Sequence, residues 1–433
     1  MRTTFHHKTT SVKNFKVQLL AWAQQFDDVV WLDSNNYEQN HSSFDAILAV
    51  DAFTSIKTDF YDGFEKLKDY QSLVNDWIFG YLAYDLKNDV EVLSSKNYDG
   101  LEFPDLFFFQ PKKIFIFKGN QVDIQYLKAV DDEFDSDLKD ITSYQDQGAI
   151  PFKNKGDNFK IHQRISKAAY LEKVNNMLAN INRGDIYEAN FCMEFYAENS
   201  LINPLEIYRK LNAISNAPFA TFLKSSDKYV LSASPERYLK KDQNTIISQP
   251  IKGTARRSHN FEDDELLKND LAKDEKERSE NIMIVDLVRN DLSKTAVKGS
   301  VKVEELCKVY SFDQVHQMIS TVTSQIEENT HPIDVIKSTF PMGSMTGAPK
   351  ISAMKIIENL EETKRGLYSG AVGYITPRGD FDFNVVIRSI LYNHTQKYIS
   401  FSVGSAITSK SDPLKEYEEC LVKAKAMHEV LQH

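Results

Sequence analysis

Short runs of alternating apolar and polar residues dominate the first part of the chain: VVWLDS at 29–34, WIFGYLAYDL at 77–86, FPDLFFFQPKKIFIF at 103–117 and VDIQYL at 122–127. Separated by Asn, Asp and Gly, they predict antiparallel strands, with a helix over 64–75 between them. Residues 131–158 are acidic with little apolar periodicity and read as a linker between an N-terminal region, 1–130, and a larger C-terminal region, 159–433. A helical period begins at 166 and stops at Gly184, a residue suited to ending a helix. Strands follow at FATFLK, YVLSA, YLKK and TIISQ, up to about Gly253. The pattern then predicts helices over 263–325 and 332–362, strands at AVGYIT, FNVVIRSILY and YISFSVG, and a final helix over 413–432. Strands grouped in blocks, rather than alternating strictly with helices, predict an α+β fold with antiparallel sheets.

The chain has 433 residues, 42% hydrophobic and 26% charged, the composition of a soluble globular protein. A net charge of −10 argues against nucleic acid as a partner and means that overall charge cannot attract an anionic substrate. Such a substrate needs a local basic group or a bound cation. Cys192, Cys307 and Cys420 have no CxxC spacing, so zinc and redox motifs are absent and reduced thiols in the cytoplasm are expected. The first residues lack the apolar core of a signal peptide, and no run is long enough to cross a membrane.

Four local patterns carry candidate chemistry. In QPIKGTARR, 249–257, Pro250 and Gly253 bracket Lys252 at a bend after a β-branched strand. A lysine held there can lose solvation, drop its pKa and become a neutral nucleophile; its other reading is a solvated cation. Glu277 and Glu280 are spaced i, i+3 at the head of a helix whose continuation is apolar nearly all round. They either pair with Lys273, Lys276 or Arg278 at an exposed first turn or enter a metal site. Glu416 and Glu419 repeat the spacing after Asp412-Pro413, and two such pairs brought together make an all-oxygen cage suited to Mg²⁺. Arg388, amid apolar strand residues, calls for a carboxylate partner. GSMTGAPK, 343–350, lacks the spacing of a phosphate-binding loop, so ATP is not implied.

SPER (234–237), PIKGT (250–254), KERSENIMIVDLVRNDL (276–292), GSMTGAPK (343–350), RGLYSGAVGY (365–374), NVVIRS (384–389) and SDPLKEYEE (411–419) occur in the order found in chorismate-utilising enzymes. Over roughly the C-terminal two thirds the chain resembles that family. The resemblance implies two large, mainly antiparallel sheets packed together with helices outside. It implies Mg²⁺ at the four glutamates, with Glu280 and Glu419 as direct ligands and Glu277 and Glu416 acting through water. It makes Glu236 the acid that protonates a departing C4 hydroxyl and places His316 near that group. Arg388 and Tyr374 would hold substrate carboxylate, with Thr346, Gly347 and Gly404 lining the site.

A lysine at position 252 resembles the branch that forms 4-amino-4-deoxychorismate; anthranilate-forming relatives usually carry alanine there. The resemblance thus implies chorismate and ammonia as substrates and 4-aminobenzoate for folate as the destination. None of the three cysteines lies in a Gly-x-Cys turn, so a separate glutamine amidotransferase subunit is the expected partner. The competing expectations are an anthranilate-forming subunit and an idle, tryptophan-binding regulatory subunit. Two departures stand out: TARR, similar to isochorismate synthases, and VGSAI at 403–407 where the family has VGGGI.

Overall fold

Strand alternation sorts the N-terminal side chains between two cores. In Asp28–Asp33, Val29 and Trp31 enter one core and Val30 the other; in Ala46–Thr58, Ala46, Leu48 and Val50 part in the same way from Ile47 and Ala49. Phe115 and Phe117 likewise oppose Ile114 and Ile116. A sheet buried on both faces requires layers on both sides. The computed structural model describes residues 1–37, 41–144, 160–258, 260–312 and 315–432.

The strands form one hydrogen-bonded network with two arms, and every pairing between strands is antiparallel. One arm runs from Arg2–Lys8 through Gln121–Leu127, Leu106–Lys118, Ala46–Thr58, Asp28–Asp33, Phe219–Ser225, Lys228–Ser234, Ser389–Asn393 and Tyr398–Thr408 to Glu188–Ala197. The other leaves Leu106–Lys118 through Ile78–Leu82, Ala371–Ile375, Phe381–Val385, Arg237–Asp242 and Thr245–Gln249 to Val315–Gln325. The arms separate where the register of Ala46–Thr58 against Leu106–Lys118 shifts between Ala52 and Thr54, beside Pro111 and an Asp51 at φ 61°. Bulges are the usual device by which a strand turns from one sheet into another.

One core lies between the first arm and outer helices, including Lys167–Arg183 and Pro413–Gln432. Ser166 caps the former by accepting from Ala169 N–H, and Gly184 ends it at φ 90°. The second core joins Val30, Leu223, Val230 and Leu391 of the first arm to Leu239, Ile246, Val322 and Phe383 of the second. The two packed sheets and outer helices expected from sequence are therefore present. Among the described residues no helix is long and apolar enough to cross a membrane.

Two expectations change. Residues 263–325 are helical only as far as Phe261–Lys273 and Glu275–Ser293; Lys302–Ser311 and Val315–Gln325 are strands. Phe312, Val315, Ile319 and Val322 fit a helical period, but the Val, Ile and Thr content of the segment and its three strand partners decide otherwise. The stretch read as a linker opens with a helix, Phe134–Ser143, that buries Ile141; 145–158 lie outside the described residues. The first 130 residues also share the sheets of the rest, through Asp28–Asp33 on Phe219–Ser225 and Ile78–Leu82 on Ala371–Ile375.

Candidate active site

Lys252 lies in strand Ile251–Arg256, whose register against Val315–Gln325 slips between Ile251 and Thr254. That slip, with Gly253 at φ 89°, turns Lys252 into a cavity of about 420 Å³. A Cβ on Gly253 would sit 3.1 Å from Glu277 Oε2, so the glycine also admits the helix Glu275–Ser293 at close range. Lys252 Nζ is 3.4 Å from Glu188 Oε1. Burial alone would lower the lysine's pKa, but the nearby carboxylates of Glu188, Glu280 and Glu236 outweigh it and the net shift is upward. The neutral amine expected from sequence is therefore an ammonium in this state, because the pocket that desolvates it is lined with acids.

Glu236 follows Pro235 at the end of Lys228–Ser234 and is nearly fully buried. Burial lifts its carboxyl from 4.5 to about 7, against a hydrogen bond from Ser344 and the charge of Lys252, which pull it down. Arg388 sits between the strands Phe381–Val385 and Ser389–Asn393 rather than within one, at φ 52°. A left-handed, non-glycine residue of this kind is a feature of functional sites. Among the described residues its guanidinium makes no hydrogen bond or ion pair, and it faces the cavity with Tyr368.

The two acidic helices meet at the same cavity. Asp274 caps Glu275–Ser293 by accepting from Glu277 N–H, which sets Glu277 and Glu280 on the first two turns. Glu416, fully buried, accepts a hydrogen bond from Ser405 Oγ. Lys276 Nζ stands between the helices, 3.7 Å from Glu280 Oε1 and 3.5 Å from Glu416 Oε1. Burial raises Glu277, and lifts Glu280 to about 7. Burial would raise Glu419 too, but Lys423 at 2.5 Å holds it below its ordinary value.

The sequence profile of the chorismate binding enzyme family matches residues 27–429. The chain belongs to this family. It is 32% identical over 403 residues to a probable chloroplastic aminodeoxychorismate synthase of Oryza sativa subsp. japonica, covering 84% of this chain and 44% of that protein. It thus spans less than half the length of that relative. It is 31% identical over 374 residues to aminodeoxychorismate synthase component 1 of Bacillus subtilis (82% of this chain, 76% of that one). Against anthranilate synthase component 1 of Thermus thermophilus it is 32% identical over 354 residues (81% and 76%). The crystal structure of anthranilate synthase component I from Streptococcus pneumoniae superposes with a TM-score of 0.75 at 25% identity, covering 90% of this chain and 95% of that one.

The cavity of this family member gathers Lys252, Glu236, Arg388, Gly404, Glu277, Glu280, Glu416 and Glu419, all marked from sequence. Gly404 is needed by the strand packing: a Cβ there would meet Cys192 Sγ at 2.7 Å. Four other residues lie elsewhere. His316 is fully buried behind the cavity wall, its Nδ1 2.9 Å from Ser311 Oγ and its Nε2 3.0 Å from Asp264 Oδ1; on a strand, its neighbour Gln317 takes the cavity side. Tyr374 packs in an aromatic group with Phe44, Trp77 and Phe79, at centroid distances of 5.3, 5.5 and 5.8 Å. Thr346 is buried with its hydroxyl donating to Met342 and Gly343 carbonyls. Gly347 pairs with strand Glu188–Ala197, where a Cβ would fall 2.2 Å from Glu188 O.

Sequence reasoning missed Tyr368, which stands six positions before Tyr374 in the same RGLYSGAVGY segment and does line the cavity. It also missed Glu188, whose only signal was a carboxylate opening a largely apolar strand that also carries Asn190 and Glu194. Ser344, Asn190, Gln317 and Lys423 are also part of the polar wall.

The donor set suits a hard cation. Among the described residues Glu280 Oε1 is buried without a hydrogen-bond partner, and three further carboxylates face the same space. Among the described residues the carboxylates are not drawn into a closed metal cage, and the Lys276 ammonium stands among them.

Proposed function

We propose that this chain aminates chorismate at C4 to give 4-amino-4-deoxychorismate, the precursor of 4-aminobenzoate in folate synthesis, with ammonia from a separate glutamine amidotransferase subunit. The observation that carries the reading is Lys252 directed into the cavity opposite a Glu236 that holds a proton near neutral pH. The Arg388 guanidinium supports carboxylate binding, since among the described residues it has no partner that would compete with a bidentate pair. Tyr368 supplies a second polar contact beside it.

In this reaction the Lys252 amine bonds C2 of the ring while Glu236 gives its proton to the C4 hydroxyl, which leaves as water. Ammonia then bonds C4 and the lysine departs. Glu280 and Glu419 would hold Mg²⁺ directly, with Glu277 and Glu416 acting through water. When bound, Mg²⁺ supplies an electrophile for a substrate carboxylate and offsets the acidic surroundings. Three free, buried cysteines suit a reducing compartment, the cytoplasm.

A second reading, formation of anthranilate, is favoured by relatives that bear that name. Product identification from chorismate, Mg²⁺ and ammonium separates the two. Expected is a product that an added lyase converts to 4-aminobenzoate; direct appearance of anthranilate fluorescence overturns the assignment.

A further inference from the structure

A lysine that stays an ammonium cannot attack carbon, so the nucleophile reading of Lys252 needs a group that takes its proton inside the cavity wall. The acids facing Lys252 come from four elements: Glu188 from its strand, Glu236 from a strand end, Glu277 and Glu280 from one helix and Glu419 from the C-terminal helix. Among the described residues the one hydrogen bond of the Lys252 ammonium goes to Glu188, at 3.4 Å. Glu188 is fully buried, and its second oxygen, Oε2, has no hydrogen-bond partner among the described residues. An orphaned carboxylate oxygen in the interior is unusual, and its lone pairs are open to a donor.

The backbone holds this carboxylate in place from both sides. Glu188 is in register with Thr408 on one neighbouring strand and with Ala348 on the other. The bare Cα of Gly347 lets the second strand close on the Glu188 carbonyl.

We infer that Glu188 is the proton acceptor for Lys252, making the amine available for attack and returning the proton when the amine leaves. The inference rests on the proposed C4 amination. The Lys252 ammonium gives one proton to Glu188, leaving an amine and a carboxylic acid. The nitrogen lone pair forms the N–C2 bond, the ring double bonds shift towards C4, the C4–O bond breaks, and Glu236 protonates the departing hydroxyl to water. When ammonia bonds C4, the electron pair of the N–C2 bond returns to the lysine nitrogen. Glu188 then gives back its proton, and the proton shed by the new C4 ammonium restores Glu236. Glu188 acts through Lys252 and need not touch the substrate.

The test is the rate of covalent adduct formation from chorismate and Mg²⁺ without ammonia, followed by intact-protein mass spectrometry against pH. Wild type, Glu188→Gln, Glu188→Asp and Lys252→Ala are compared. Expected is an adduct on the wild type that maps to Lys252, and formation at least about a hundredfold slower in Glu188→Gln at pH 7, recovering as the pH rises. Glu188→Asp should fall between the two, and it carries the comparison if Glu188→Gln does not fold. An adduct that forms in Glu188→Gln as fast as in wild type, or faster, overturns the role of Glu188. That is the result expected of an ion pair that merely restrains the lysine. Absence of any adduct on the wild type instead overturns the nucleophile reading, and this inference with it.

Discussion

Lys276, on one acidic helix, reaches across to Glu416 on the other, 140 positions later in the chain, with 3.5 Å between ammonium and carboxylate. The same ammonium is 3.7 Å from Glu280 Oε1. Four carboxylates from two distant i, i+3 pairs thus share one wall, with the Lys276 ammonium between the two helices. Crowding of this kind favours a divalent cation over an array of like charges.

Glu280→Gln and Glu419→Gln are each expected to abolish turnover by weakening Mg²⁺ binding, by about a hundredfold or more, with the fold intact. Calorimetric titration of Mg²⁺ into each variant checks the affinity, and circular dichroism the fold. Wild-type affinity and unchanged Mg²⁺ dependence in either variant would remove the metal-site assignment.

Lys252→Ala is expected to lose formation of aminodeoxychorismate. Because the anthranilate-forming branch usually carries alanine at this position, the variant should retain some ammonia addition at C2. Chromatography of products from chorismate, Mg²⁺ and ammonium decides the point; near wild-type yield of aminodeoxychorismate would count against both the nucleophile and the branch.

Ammonium salts at high pH should support activity of the chain alone, whereas glutamine should not. None of the three cysteines lies in a nucleophile turn, and all three are buried. Product from glutamine with the purified single chain would reveal a second active site.

Glu236 is raised by burial from 4.5 to about 7 in the folded chain. The folded state therefore binds the proton more tightly than the unfolded state. This contribution to stability is full below about pH 4.5 and is lost as the pH rises through about 7, by about 3 kcal/mol. In EDTA the wild type should resist urea better at pH 5 than at pH 8, with a smaller difference in Glu236→Gln. With free ammonia held constant, kcat/KM for chorismate should fall above about pH 7, as the acid form is lost. Equal slopes of stability against pH in the two proteins would show that Glu236 is not the raised group.

Arg388→Lys is expected to raise KM for chorismate about ten- to a hundredfold, since an ammonium cannot reproduce the guanidinium fork. Tyr368→Phe should raise it less, and Tyr374→Phe should leave it unchanged, because Tyr374 lies in an aromatic core group. Steady-state kinetics on the three variants separate these cases. A large KM effect from Tyr374→Phe alone would restore the assignment made from sequence.

Local pattern made the acidic pairs legible, because i, i+3 spacing places two side chains on one helix face wherever the helix lies. It also made Lys252 legible, since Pro250 and Gly253 mark a bend without help from the rest of the fold. What it could not supply was which face of a strand meets the cavity. His316 and Gln317 differ by one position, and only the pairing of their strand with Ile251–Arg256 and Lys302–Ser311 sends Gln317 inward. Tyr368 and Tyr374 are both tyrosines in one motif, separated by a turn at Ser369 with φ 63°; choosing between them needs the strand that begins at Ala371. The charge state of Lys252 was hidden because Glu188 and Glu280 come from segments far away in sequence. The sharing of sheets between the first 130 residues and the rest was hidden for the same reason, as the contacts are non-local strand pairings.

That sharing has a consequence for how the protein is made. The aromatic strand Leu106–Lys118 emerges from the ribosome early, but Ile78–Leu82 beside it is not completed until Ala371–Ile375 has been synthesised. Asp28–Asp33 similarly waits for Phe219–Ser225. For most of its synthesis the nascent chain therefore displays open edges on apolar strands, the kind of surface that draws chaperones or neighbouring chains. Refolding from denaturant should accordingly be slow and sensitive to concentration, and a fragment beginning near residue 160 should emerge with the partner strands Phe219–Ser225 and Ala371–Ile375 permanently bare on those edges.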